Sequence, residues 1–164
     1  MFDLFNGLPL HPLVVHAVVV LLPLAVLGTL AISVRSSWRG RYGPLVVACA
    51  ALATALIPVA TSSGEALEKR VGDPGGHAAL GDQLIWFAVP VLLLSVALVV
   101  LHRRATRAGV RGDTGAADGS STRATPLTVV AVLAAVAALA CGVQVYRVGE
   151  SGARAAWGDS VSAK

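Results

Sequence analysis

Four long runs of apolar residues, separated by shorter polar segments, dominate the pattern of this chain. Each run is continuous and does not alternate between apolar and polar positions, which indicates helices and not the strands of a membrane barrel. A run of about 20 apolar residues is long enough to cross a bilayer as a helix. The runs cover residues 13–34, 44–61, 83–101 and 126–148. We therefore predict an all-α membrane protein, a bundle of four transmembrane helices.

The composition agrees with this class and argues against others. Of the 164 residues, 55% are hydrophobic and 13% are charged, whereas a soluble domain carries about 25% charged residues. The net charge is +4, but the basic residues flank the apolar runs and form no single basic face. We therefore expect the lipid bilayer, and no nucleic acid, as a partner. The chain contains no GxSxG, HExxH or P-loop motif, so nothing in it indicates an enzyme.

The basic residues predict the orientation. Most of the 13 lysines and arginines follow the first and third apolar runs, in residues 35–41 and 103–123. Loops rich in Lys and Arg tend to face the cytoplasm. The chain is then a multi-pass protein of the cell membrane with both termini outside.

We expect one domain, a transmembrane bundle over residues 1–158. Residues 105–125 are rich in Gly, Ala, Ser, Thr and Arg without an apolar period, which predicts a flexible cytoplasmic linker inside it. Pro23 and Pro90 lie at similar positions in the first and third runs. Two duplicated helical hairpins are one interpretation; chance similarity between Ala/Val/Leu-rich helices is the other.

Small residues at helical spacing predict where the helices approach closely. In the second run these are Ala51 and Ala55. In the fourth run they are Ala134, Ala138 and Gly142. The prediction is a compact bundle packed through these ridges.

Ionisable residues gather where the four runs reach the predicted outer side. The set comprises His11, His16, Glu65, His77, Asp82 and Glu150. All four helices then deliver a polar residue to the same depth, whereas the inner half of the bundle has almost nothing comparable. Because an ionisable residue inside a membrane is costly, it is a functional-site hypothesis by default.

The three outer histidines have different expected roles. His11 precedes Pro12 and is expected at a helix N-cap, where a polar side chain satisfies unpaired N–H groups. His16 lies one turn deeper and about 140° away around the helix, so the two would share a metal only if the first turn were irregular. His77 follows a turn sequence; a solvated loop histidine is one interpretation and a partner for His16 is the other.

Two imidazoles from different helices at similar depth favour three kinds of chemistry. They can ligate haem b axially, bind a transition metal with further ligands, or relay protons. We expect His16 and His77 to be the principal haem or metal ligands. The alternative or supporting ligands are His11, Glu65, Asp82 and Glu150.

Four motifs carry a resemblance to a known family. They are HPLVVH at 11–16, TSSGE at 61–65, GHAALGD at 76–82 and VYRVGESG at 145–152. Over about residues 4 to 158, outside the linker, the chain resembles the predicted membrane proteins called domain of unknown function 2231. The resemblance implies four transmembrane helices with histidines near one face. Relatives associated with Rieske-type iron–sulfur domains imply redox partners.

The last motif departs from the family pattern. Many members have a histidine beside its glycine, where this chain has Val148 and Glu150 around Gly149. A fourth histidine ligand is therefore not expected, and the pair of His16 and His77 remains.

Two functional hypotheses follow. The first is an integral membrane protein whose outward-facing His/acid cluster binds haem or a metal for electron transfer with redox partners in the membrane. The alternative is a non-redox structural or partner-binding membrane protein whose histidines only make helix–helix contacts. Proton or solute permeation ranks last, because the inner half has too few polar residues to line a path.

Overall fold

Four long helices follow one another along the chain, after a short ladder of two strands. The computed structural model describes residues 4–5, 8–72, 75–111 and 120–162. The two strands pair antiparallel. The elements are β1 (Leu4–Phe5), β2 (Leu8–Pro9), α1 (Leu10–Val34), α2 (Ser36–Val71), α3 (Gly76–Arg111) and α4 (Ser120–Ser162).

Each helix contains a segment that is long and apolar enough to cross a membrane. These segments are His11–Val34, Ser36–Lys69, Gly76–Ala108 and Pro126–Ala155. The prediction of an all-α bundle with four transmembrane helices is thereby confirmed. Large apolar side chains such as Trp86, Leu93 and Val143 lie exposed on the outside of the bundle, as a surface in contact with lipid requires.

The helices extend beyond the predicted apolar runs. Pro44, where the second run begins, lies well inside α2. Helices α3 and α4 also extend into the predicted linker at 105–125, since α3 ends at Arg111 and α4 begins at Ser120. Residues 112–119 of that linker lie outside the described residues. An apolar run marks only the part of a helix that lipid surrounds, and the backbone hydrogen bonds continue past it.

Helices α1 and α3 lie across the bundle from each other, and each packs against both α2 and α4. Successive helices run in opposite directions. The core between them is made of small and medium apolar side chains. Its fully buried members include Leu22, Ala53, Val91, Ala138 and Cys141.

The hairpins α1–α2 and α3–α4 repeat one burial pattern. Thr29 of α1 and Ser95 of α3 are both 0% exposed, and their hydroxyl oxygens lie 2.9 Å apart. The spacing of 66 residues between them also relates other buried positions of the two helices. These pairs are Val18 and Leu84, Leu22 and Ala88, Ala25 and Val91, and Ile32 and Leu98. In this register Pro23 and Pro90 are one position out of step, so the repeat is carried by burial and not by the prolines.

One of the two predicted small-residue ridges was placed on the wrong face. Ala134 and Ala138 of α4 are buried as expected. On α2, however, Ala51 and Ala55 are exposed. The buried positions are instead Ala50 and its neighbours on the same stripe. In a helix this rich in alanine, small size alone does not distinguish the packed face from the lipid face.

The two ends of the bundle carry different polar groups. At the end where α1 turns into α2, Arg39 is 7% exposed and donates from Nε to Ile32 O and from Nη2 to Ser33 O, both at 2.8 Å. It thereby satisfies carbonyls that the last turn of α1 leaves unpaired. We call this the arginine end. The opposite end holds the first turns of α1 and α3 and the last turns of α2 and α4, and we call it the histidine end.

At the histidine end α2 terminates at a glycine. Gly72 has φ +101°, a conformation that favours glycine, and its N–H donates to Glu68 O at 2.9 Å. Gly75, just before α3, also has positive φ, at +65°. Glycine is the residue that tolerates positive φ at both of these positions.

Candidate functional site: two histidine clasps

His11 connects the first turn of α1 to the last third of α2. Its Nδ1 lies 2.9 Å from Ala60 O and 3.3 Å from Ser63 Oγ. Since a carbonyl oxygen only accepts, the imidazole carries its proton on Nδ1 and donates it to Ala60. The Ser63 hydroxyl donates to the same carbonyl at 3.0 Å. The expectation that His11 caps its own helix is therefore wrong, because its ring bonds to the neighbouring helix.

Glycine allows the ring to come this close. A Cβ at Gly64 would stand 3.0 Å from His11 Cε1 and 3.3 Å from Nδ1. Real Cβ atoms rarely make contacts this short, so a side chain here would displace the imidazole. We call His11, Ser63 and Gly64 the His11 clasp.

His77 makes the same arrangement between α3 and α4. Its Nδ1 lies 3.0 Å from Ser151 Oγ, and the Ser151 hydroxyl donates to Val148 O at 2.9 Å. Ser151 therefore accepts from His77, which again places the proton on Nδ1. A Cβ at Gly152 would stand 3.0 Å from His77 Cε1. We call His77, Ser151 and Gly152 the His77 clasp.

The two clasps occupy equivalent places in the two hairpins. His11 and Thr29 share a helix stripe, because their spacing equals five turns at about 3.6 residues per turn. His77 and Ser95 have the same spacing. Thr29 and Ser95 meet in the middle of the bundle, so both histidines lie on the helix faces that point towards this contact.

Fixing the proton on Nδ1 determines what each ring offers. A neutral imidazole protonated on Nδ1 carries a lone pair on Nε2, which can bind a metal or accept a proton. Among the described residues, Nε2 of neither His11 nor His77 has a hydrogen-bond partner. Hydrogen bonds from Nδ1–H to oxygen are also what orients histidines that bind metals.

His16 lies apart from both clasps. Its side chain is exposed on α1, and its Nδ1 is bonded to Pro12 O of the same helix. The structure therefore gives His16 and His77 different partners on different helices. The angle of about 140° between His11 and His16 separates them as expected from helix geometry, but the inward-facing residue of the two is His11.

The acidic residues of the predicted cluster do not join the histidines. Glu65 and Asp82 are exposed, and the Glu150 carboxylate accepts from Arg154 at 2.6 Å on the surface of α4. Among the described residues, no group of three or more His, Cys, Asp and Glu side chains could hold a metal ion. The polar residues at the histidine end meet in two helix pairs, not in one cluster.

Several buried polar residues were not among the predicted ligands. Ser63 and Gln144 lie at the histidine end, and Gln144 Nε2 donates to Leu80 O of α3 at 3.1 Å. The sequence analysis did not single out Thr29 and Ser95, which meet inside the bundle. The signal in the sequence is the common spacing of 66 residues, which pairs His11 with His77 and Thr29 with Ser95.

The comparisons with known proteins agree with this architecture. A family model described as predicted membrane protein, DUF2231, matches residues 7–164. No curated protein and no solved structure matches the chain. The family model covers nearly the whole chain, including both clasps and all four helices, and the protein belongs to the DUF2231 family of predicted membrane proteins.

Proposed function

We propose that this protein is an integral membrane electron-transfer protein that binds haem b at its histidine end, where His11 and His77 would hold the iron. One observation carries the proposal. The two hairpins hold one imidazole each in the same way, with Nδ1–H bonded to oxygen and the Nε2 lone pair left to bind iron. His11 takes the place that the sequence assigned to His16, because the His16 side chain points away from the bundle.

The donor set favours haem over a single metal ion. A structural or catalytic zinc site needs three or four protein ligands, and the described residues offer no such group. A b-type haem needs only two axial nitrogens from the protein, since the porphyrin supplies the other four. When bound, the haem iron would supply one-electron chemistry.

The residues around the rings would hold them in position and orient Nε2 of each. Ala60 O and Ser63 hold the His11 ring, and Ser151 holds the His77 ring. Donation from Nδ1–H to oxygen makes Nε2 a stronger ligand. In the predicted orientation the histidine end faces away from the cytoplasm, and an electron partner would then lie in the membrane or on its outer side.

A second candidate is a structural membrane protein in which the clasps only join helices. The observation in its favour is that each imidazole already connects two helices, with a glycine beneath it. On this alternative the histidines matter for stability alone.

An absorption spectrum of the detergent-purified protein, after reconstitution with haemin, distinguishes the haem-binding function from the structural one. We expect a Soret band that shifts on reduction with dithionite, at one haem per chain. His11→Ala and His77→Ala should each abolish it, with circular dichroism verifying that the helices remain. His16→Ala is the matched control and should retain the band.

Two results would overturn the haem proposal. One is a wild-type protein without stoichiometric haem after reconstitution. The other is loss of the band in His16→Ala with retention in His11→Ala. If no haem binds and both clasp variants lower the thermal midpoint of unfolding, the structural function is the correct one.

A further inference from the structure

We propose that the arginine end binds the headgroup of an anionic phospholipid at the corner where α1 turns into α2. Arg35 and Arg41 are the exposed groups that would contact the headgroup, and Arg39 is the buried residue that holds the corner in shape. This inference is independent of the proposed haem site, which lies at the opposite end of the bundle.

Within the part of the chain that the structure describes, the corner carries positive charge without an internal counter-ion. The sequence from residue 4 to residue 64 contains no Asp or Glu, and none occurs from residue 83 to residue 112. The described residues of the arginine end therefore include no carboxylate. Among the described residues, the partners of the Arg39 guanidinium are two carbonyl oxygens, those of Ile32 and Ser33. Buried charges are costly unless they are paired, so a negative group from outside the chain fits this corner.

The N-terminus of α2 also attracts an anion to this corner. Arg35 occupies the N-cap position and makes no side-chain capping hydrogen bond, and the first turn of α2 has no acidic residue. Unpaired N–H groups and the helix dipole make such an end favourable for an anion. A phosphate beside Arg35 would therefore meet both a guanidinium and the N-terminus of a long helix.

Aromatic and apolar side chains beside the corner indicate a lipid and not a free anion. The Arg35 guanidinium lies 5.0 Å from the centre of the Trp38 ring, and that of Arg41 lies 5.4 Å from the Tyr42 ring. Trp and Tyr concentrate at the level of lipid headgroups. Val34 is 85% exposed on the same corner, which gives an acyl chain an apolar surface next to the charges.

Among the described residues, the second hairpin has no counterpart of Arg39. Leu127 occupies the place in α4 that Arg39 occupies in α2 when Ala50 is aligned with Ala138. Instead, α3 brings His102 to the first corner, where a Cβ at Gly40 would stand 3.6 Å from His102 Nε2. Exposed arginines near the end of α3 extend the positive field, and they are Arg103, Arg104 and Arg107. The repeat is therefore broken at Arg39.

Quenching of Trp38 fluorescence by brominated lipids tests the proposal. Trp86→Phe with Trp157→Phe leaves Trp38 as the single tryptophan; both replaced residues are largely exposed. This protein is reconstituted in vesicles in which either phosphatidylglycerol or phosphatidylcholine carries the bromine at equal mole fraction. Each basic residue near a membrane surface contributes about fivefold in anionic-lipid association, so brominated phosphatidylglycerol should quench more strongly by a severalfold preference.

Substitutions test whether the preference for phosphatidylglycerol depends on Arg35 and Arg41. Arg35→Gln with Arg41→Gln should bring the two lipids to nearly equal quenching. Arg154→Gln, at the histidine end, is the matched control and should leave the preference unchanged. Equal quenching in the parent protein, or an unchanged preference in the double variant, overturns the proposal. Inorganic phosphate at the same ionic strength as a chloride control should not abolish the preference; if it does, the corner is a free-anion site and not a lipid site.

Discussion

Alanine at Gly64 tests whether the His11 clasp is as tightly packed as its distances indicate. In a helix interior, Gly→Ala alone stabilises by about 0.5–1 kcal/mol, because alanine loses less backbone entropy on folding. At Gly64 the new Cβ would stand 3.0 Å from His11 Cε1. Overpacking of this kind costs about 1–3 kcal/mol. We therefore expect Gly64→Ala to lower the free energy of unfolding, against the helix propensity.

The chain offers a matched control on α4. A Cβ at Gly149 of α4 would have no neighbouring atom within 4 Å. Gly149→Ala should then show the propensity gain of about 0.5–1 kcal/mol without the contact cost. Gly152→Ala should behave like Gly64→Ala, since the His77 clasp has the same 3.0 Å approach.

A double-mutant cycle assigns the cost to the imidazole. When His11→Ala is already present, adding Gly64→Ala should be stabilising, as at Gly149, because the ring that it would contact is gone. Thermal unfolding in detergent, followed by circular dichroism, gives the four stabilities. The reasoning is refuted if Gly64→Ala alone is as stabilising as Gly149→Ala, or if the cycle shows no coupling between His11 and Gly64.

Three further predictions concern the buried polar contacts, and each is checked by thermal unfolding in detergent. Thr29→Val should lower the free energy of unfolding by about 1 kcal/mol, because it leaves the Ser95 hydroxyl buried without its partner. The double variant Thr29→Val with Ser95→Ala should recover most of this loss. If it recovers none, Thr29 and Ser95 do not stabilise the protein through a direct hydrogen bond. Arg39→Lys should lower the free energy of unfolding by about 1–3 kcal/mol, since one ammonium cannot reproduce the two hydrogen bonds that the guanidinium donates to the end of α1. Arg39→Met should lower it at least as much. If Arg39→Lys leaves the stability unchanged, the two-donor geometry of the guanidinium is unimportant. Gln144→Leu should lower the free energy of unfolding by about 1 kcal/mol, because it removes the donor to Leu80 O that joins α4 to α3. His16→Leu, on the exposed face of α1, should leave the free energy of unfolding within about 0.5 kcal/mol of wild type.

The choice between His11 and His16 shows where sequence reasoning ended. Helix geometry fixed the angle between them, so the sequence already separated the two onto different faces. Which face meets α2 depends on the packing of α1 against its neighbours. Only the structure places Ala60 O and Ser63 beside His11 and leaves His16 exposed.

The sequence by itself determined the four membrane-crossing helices, the family and the end of the bundle where the histidines lie. Those features follow from long uncharged runs and from short motifs, which are local along the chain. Tertiary structure alone decided that the polar residues meet as two separate clasps, that Thr29 contacts Ser95, and that Arg39 is buried against α1. The physical reason is that these contacts join residues far apart in the chain, and in helices rich in Ala, Val and Leu no local pattern distinguishes the face in contact with another helix from the face in contact with lipid.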